Sequence, residues 1–243
     1  MARRYDVKGY LLLFGVATVG VLVLAACGGG GDGAQTTPAA INPADFQTTI
    51  DNPWYPLSSL GSRIYEGQEP DPDTGEMVKT RLESTVLPQT DVVAGVEVTV
   101  LEEKNYEDGE LVEDTLDYFA QHKDGSVYYF GERVDDYEGG QVVGHESQWL
   151  AGEGDNQPGV FMPAQPSVGM TFEQEKAPGI AEDQSKVVAT DQTVTTPAGT
   201  FSGCIKTEDF SPLDNVTEHK YYCPGDGFVR EEPESGFLEL VSR

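Results

Sequence analysis

Apolar and polar positions alternate with a period of two along almost every segment after residue 60. Such runs, rich in β-branched and aromatic residues and bounded by Gly, Pro, Asn and Asp, are expected to form strands buried on one face. They cover residues 77–87, 92–101, 111–121, 126–130, 141–149, 185–195, 200–209, 218–223 and 237–241. Asp108-Gly109 and Asp124-Gly125 are favoured two-residue hairpin turns, and Gly139-Gly140 is a third candidate. Short connections make neighbours antiparallel. No long window keeps a helical stripe; 43–50 and 180–187 are the only short candidates, worth a turn or two. The expected fold is all-β: a strongly curved antiparallel sheet of about ten to twelve strands, in a barrel or half-barrel, since twisted open sheets of that size curl or close. Residues 151–169 read as a long connection able to cross the open mouth.

The start of the chain is different. Arg3, Arg4 and Lys8 precede an apolar run from Tyr10 to Ala26, which ends in Leu24-Ala25-Ala26-Cys27. A positive start, an apolar centre and small residues at the end are the parts of an export signal. Leucine three places before the cysteine resembles the bacterial lipobox. That resemblance implies cleavage before Cys27 and diacylation of its thiol. The run is at the short limit for a membrane span. The division expected is a lipoprotein signal peptide at 1–26, a lipidated cysteine with a Gly/Thr/Pro tether at 27–40, and one β domain at 41–243. Two acyl chains, at about 0.8 kcal/mol per buried methylene, anchor stably, and a Gly-rich coil of about 14 residues reaches on the order of 20 Å. The expected location is the extracytoplasmic face of the cell membrane, with the membrane as partner through the lipid.

Charge narrows the partners. The whole chain carries −27. Without residues 1–26 it holds 12 Lys and Arg against 41 Asp and Glu, a net −29. Phosphate binding needs clustered cations, so nucleic acid is excluded as a partner. Two cysteines remain, Cys204 and Cys223, and an oxidising compartment favours their pairing. If 200–209 and 218–227 form a hairpin turning between Leu213 and Asp214, Cys204 sits directly opposite Cys223, within disulfide reach. Metal ligation by the two thiols is the alternative, though no CxxC or paired His accompanies them.

Two stretches resemble known sequences. Glu113-Asp114-Thr115-Leu116-Asp117-Tyr118-Phe119-Ala120-Gln121, continuing through Asp124-Gly125-Ser126-Val127-Tyr128-Tyr129-Phe130-Gly131-Glu132, resembles a signature of largely uncharacterised bacterial exported lipoproteins. The segment Asn52-Pro53-Trp54-Tyr55-Pro56-Leu57 looks like the start of that family's domain; the second stretch, Thr196-Pro197-Ala198-Gly199-Thr200-Phe201 then Cys204, with Tyr221-Tyr222-Cys223-Pro224-Gly225-Asp226-Gly227-Phe228-Val229, resembles the last strands of curved-sheet envelope proteins. The resemblance implies a strongly curved antiparallel sheet and brings no catalytic residues.

Candidate chemistry is sparse. The hairpin 116–130 carries aromatics on both faces; core packing accounts for most of them. Tyr118, Tyr128, Tyr129 and Phe130 are the candidates for lining a ligand cavity. His122, His145 and His219 lack metal-binding spacing. Asp71–Glu76 begins like a calcium loop but lacks its Gly position and closing Glu. Ser167 is preceded by Gln165 where a nucleophile elbow needs Gly. No catalytic residue, metal ligand or cofactor is therefore assigned, beyond a weak calcium site in some acidic loop. The leading expectation is a non-enzymatic envelope lipoprotein that binds or carries a small apolar molecule. An acidic structural or adhesive surface lipoprotein is the alternative, and a secreted hydrolase the third.

Overall fold

The computed structural model describes residues 41–71, 74–213 and 215–243. The expected signal peptide, lipidated Cys27 and tether, residues 1–40, lie outside the described residues. The chain is all-β. After a 3-10 turn at Pro43–Asp45, the strands in order are β1 (Phe46–Gln47), β2 (Ser62–Pro70), β3 (Met77–Val93), β4 (Val96–Glu107), β5 (Glu110–His122), β6 (Val127–Glu138), β7 (Gln141–Gly144), β8 (Trp149–Leu150), β9 (Gln157–Met162), β10 (Thr171–Glu173), β11 (Glu175–Lys176), β12 (Gln184–Thr196), β13 (Gly199–Ser211), β14 (Val216–Cys223), β15 (Gly227–Glu232) and β16 (Phe237–Ser242). A second 3-10 turn covers Leu57–Ser59.

The main path of the sheet runs β10-β12-β13-β14-β15-β16-β2-β3-β4-β5-β6-β9-β11. Every pairing is antiparallel, and the ends nearly meet. Thr171–Glu173 pairs with β12, and Glu175–Lys176 pairs with β9. Only Gln174 separates the two halves of this short segment, so one strand joins the two edges and curls the sheet into a nearly closed barrel. Gln174 reinforces the joint: its Nε2 donates to the Phe161 carbonyl at 3.2 Å and its backbone N–H to the Asp183 carbonyl at 2.8 Å. Closure is what removes exposed strand edges.

The turns follow their residues. Asp108-Gly109 connects β4 to β5 with both residues at positive φ, 48° and 90°, the geometry of a hairpin whose twist suits its strands. Ala94-Gly95 does the same between β3 and β4, at 50° and 80°. The run 92–101 was expected to be one strand, and it is instead two strands with this turn inside. Alanine is not a turn residue by composition, which hid it. Pro88 offers no N–H to the ladder, and the β3–β4 register shifts between Val86 and Thr90. Three further expectations are corrected. Residues 180–187 hold no helix: the Ala177–Ala181 turn leads into β12. The stretch 151–169 contains β9, paired to β6. The run 141–149 breaks into β7 and β8, which pair with separate parts of β6.

Strands β13 and β14 pair in register from Ile205↔Tyr222 to Ser211↔Val216. One step further, Cys204 faces Cys223, and the two form a disulfide with Cα atoms 4.1 Å apart. The strand register expected from the sequence is therefore the observed one.

Residues 50–60 fold over one end of the barrel as a plug. Gln121 Oε1 accepts the backbone N–H groups of Asp51 and Asn52 at 2.9 Å each, and its Nε2 donates to Asp51 Oδ1 at 2.7 Å. The Asn52 amide then donates to the carbonyls of Gly125 and Pro163. These bonds tie the plug to the β5–β6 turn and carry Tyr55 and Leu57 into the core.

Candidate functional site

Directly paired residues of an antiparallel sheet point to the same face, so register identifies what lines the barrel. Ser84 pairs with Glu103, Glu103 with Thr115, and Thr115 with Val134. The neighbouring inward row runs Leu101, Asp117, Glu132. On the opposite wall Thr207, Lys220, Glu231 and Leu238 form a third row. Tyr222 of β14 meets Phe161 of β9 with ring centroids 6.4 Å apart, a contact across the interior between strands far apart in the sheet.

That interior is acidic. Nine Asp and Glu side chains are buried among the described residues, against two cations, Arg63 and Lys220. So many ionised carboxylates cannot coexist in a low-dielectric space, and desolvation favours their neutral forms. Burial pushes Glu103, Glu113 and Asp183 up to about 7, and drives Asp117, Glu132, Glu175 and Glu231 well above the usual carboxylate range. Lys220 balances part of this charge. Its ammonium sits 2.6 Å from Glu218, 3.5 Å from Asp209 and 4.0 Å from Glu231. Both Glu175 carboxyl oxygens and both of Asp209 lack a hydrogen-bond donor.

Towards the plugged end the interior becomes aromatic. Tyr55 packs against Phe161 at 4.6 Å and Phe119 at 5.4 Å; Tyr65 packs against Phe228 at 5.1 Å. Between these rings a cleft enters the barrel, with about 540 Å³ of empty space when its open mouth is included and about 30 Å³ with room for water-sized molecules. Its rim is apolar, with the half-buried Leu60 and Val86, and its buried lining includes Leu57, Phe228, Arg63, Ser84, Glu103 and Asp117. That room is enough for about two waters. Most of the barrel is filled by its own side chains, and the cleft admits one end of a small molecule.

The four aromatics picked out in the sequence are divided between the two faces of the sheet. Tyr129 points inward, stacked on Phe119 at 4.8 Å and edge-on to Trp149 at 5.4 Å. Tyr128 and Phe130 pack on the outer face beneath Phe46, at 5.4 and 5.2 Å. Tyr118 is buried beside Arg133. None of the four lines the cleft. The three histidines are not brought together: each lies beside an acid of its own neighbourhood, Asp124, Asp135 or Glu208. Among the described residues no group of three or more His, Cys, Asp or Glu is arranged to hold a metal ion. Asp71 closes a turn, its Oδ1 accepting from the Thr74 N–H and hydroxyl. The sequence reading missed Arg63, Glu103 and Asp117. Their signal was present: acids and an arginine share the period-two face of large apolar residues, as Asp117 does with Phe119. An exposed polar face alternates in the same way, so the pattern alone did not discriminate.

No protein-family model matches the chain, and no curated protein is significantly similar to it. Among solved structures it is similar to an exported protein with YmcC-like fold from Bacteroides fragilis, at 16% identity over 76% of this chain and 95% of that one, with a TM-score of 0.42. A lipoprotein from Parabacteroides distasonis is similar at 14% identity over 81% and 99%, with a TM-score of 0.39.

Proposed function

We propose that this chain is an exported lipoprotein, tethered by lipid at Cys27 to the extracytoplasmic face of the membrane, whose barrel is a non-enzymatic module binding a small, largely apolar molecule. The cleft between the plug and the barrel carries the binding reading. It combines an apolar rim, aromatic walls and a few convergent polar groups, the usual make-up of a small-ligand site. The Cys204–Cys223 disulfide supports an oxidising compartment, and the Leu24-Ala25-Ala26-Cys27 signal supports the anchor.

Native mass spectrometry of the lipidated chain tests the binding reading, after purification from its own membranes with and without chelator. A retained organic mass of a few hundred daltons, lost when Leu60→Trp fills the rim, is the expected result. A bare polypeptide, or one that sheds only calcium-sized increments with chelator, would overturn it. Replacing Cys27 by Ser tests the anchor: the chain should leave the membrane fraction.

A further inference from the structure

A guanidinium with few partners is out of place in a barrel interior. Arg63 is only 6% exposed. Its Nε and Nη1 have no hydrogen-bond acceptor. The nearest opposite charge is Asp226, whose Oδ1 lies 3.9 Å from Nη2 and 3.4 Å from Arg243 Nε. The partner acid is therefore shared and beyond hydrogen-bond reach. The adjacent Tyr65 hydroxyl, which donates to the Phe228 carbonyl at 3.1 Å, accepts from the guanidinium but brings no negative charge. An under-partnered buried charge is costly, and this one lines the cleft.

Resting on the reading of the cleft as a binding site, we propose that its ligand is a small apolar monocarboxylate whose carboxylate seats on Arg63. The planar fork of arginine matches a carboxylate's two oxygens, and the ligand's charge completes the pairing that Asp226 leaves unfinished. The cleft's room, about 30 Å³ for water-sized molecules, suits a small ligand and not a folded acyl chain. The body of the ligand lies in the mouth against Leu60, Val86 and Phe228, which suits a short aromatic or aliphatic acid.

The other polar groups at the cleft are compatible with an anion. The groups facing Arg63 are Glu103 from β4, Asp117 from β5, Tyr65 on its own strand, Tyr55 from the plug, Tyr222 from β14 and Asp226 beyond it. Burial raises Glu103 to about 7 and Asp117 well above the usual range, so below that pH both are neutral and Arg63 sets the sign of the cleft. As pH rises through about 7, Glu103 ionises and an anion binds less well.

Titration calorimetry of the full lipidated chain in lipid nanodiscs tests this with three probes that share one body: 3-phenylpropionate, 3-phenylpropanol and 3-phenylpropylamine. At pH 6 the acid should bind at least about tenfold more tightly than the alcohol, the scale of a hydrogen-bonded charge, and more weakly at pH 8. Arg63→Met should erase the preference of acid over alcohol while leaving alcohol binding in place. Should that variant not fold, the probe order and its pH dependence in the unmodified chain decide the question. An amine tighter than the acid, or no difference between acid and alcohol, overturns the proposal while leaving the cleft a binding site. A preference for the acid that survives in Arg63→Met also overturns it. Binding of none of the three at millimolar concentration overturns this proposal and counts against the cleft as well.

Discussion

Inside the barrel the Tyr129 hydroxyl donates a 2.6 Å hydrogen bond to Asp117 Oδ1. The bond joins the aromatic end of the interior to the acidic one, since the same ring stacks on Phe119. Asp117 Oδ2 has no donor, so this phenol is the carboxyl's one hydrogen bond. Tyr129→Phe keeps the stacking and removes the donor. Leaving a buried polar group unsatisfied costs about 1–3 kcal/mol. At about 2–4 °C per kcal/mol for a domain of this size, the melting temperature should fall measurably. An unchanged melting temperature would show that Asp117 finds another partner.

Lys220 is buried among Glu218, Asp209 and Glu231. Lys220→Met removes the cation and strands these acids. Removing one side of a buried ion pair costs about 3–5 kcal/mol. Glu218 and Glu231 recover neutrality by taking up protons, so the loss should be larger at pH 8 than at pH 5. Urea unfolding at the two pH values checks this. An equal loss at both would mean that charge is not what Lys220 contributes.

How far the fold was legible depends on the residue. Asp108-Gly109 announced its hairpin because few sequences accept positive φ at both positions of a two-residue turn; Asp124-Gly125 marked a hairpin too, but within a longer connection, 123–126, where only Gly125 is at positive φ. Cys204 and Cys223 could be placed opposite each other because an antiparallel register is set by its turn. Ala94-Gly95 gave no such signal, and β9 carries Pro158-Gly159, which reads as loop. The cleft was harder still. Arg63, Glu103 and Asp117 come from three strands and meet only once the sheet has curled, which period-two patterns do not encode. Glu113 and Glu132 alternate with apolar residues as surface acids do, and only the closing strand at 171–176 turns their face into an interior.

The pH dependence of stability follows from that interior. Glu113 Oε1 accepts from Asn105 Nδ2 and the Thr115 hydroxyl, both at 3.0 Å, yet burial lifts the group to about 7 from an ordinary 4.5. A carboxyl with a raised folded value binds more protons folded than unfolded between those two pH values, so stability falls as pH rises across that window. Glu113→Gln keeps the acceptor oxygen and the neutral state at every pH. It should leave stability unchanged near pH 4 and raise it at pH 8 by on the order of 1–3 kcal/mol. A variant less stable than the parent at pH 8 would mean that the ionised form is wanted.

The disulfide closes a separation of 19 residues. In the chain-entropy picture a loop of that size is worth about 3 kcal/mol. The double variant Cys204→Ala with Cys223→Ala should lower the melting temperature by that equivalent and remove the response of the parent to reductant. A parent chain whose melting temperature ignores reductant would mean the bond adds little beyond the β13–β14 ladder.

Closure of the barrel depends on Gly159. It pairs with Tyr129 on β6, and a Cβ added there would stand 2.0 Å from the Gln174 carbonyl oxygen and 2.4 Å from its carbon. Both are backbone atoms, so no side-chain rotation relieves the clash. Either β9 or the closing segment must move. Gln174 is the link between the halves of the 171–176 strand, and its amide is bonded to the Phe161 carbonyl. Gly159→Ala should therefore loosen closure rather than the sheet as a whole. The expected loss is about 1–3 kcal/mol, the usual cost of overpacking, with faster hydrogen exchange at the N–H groups of Gln174 and Glu175, both donated to Asp183. The β13–β14 hairpin, held by its ladder and disulfide, should keep its protection. Uniform acceleration across both regions would mean that closure and sheet unfold as one unit, and that the 171–176 strand is not an independent latch.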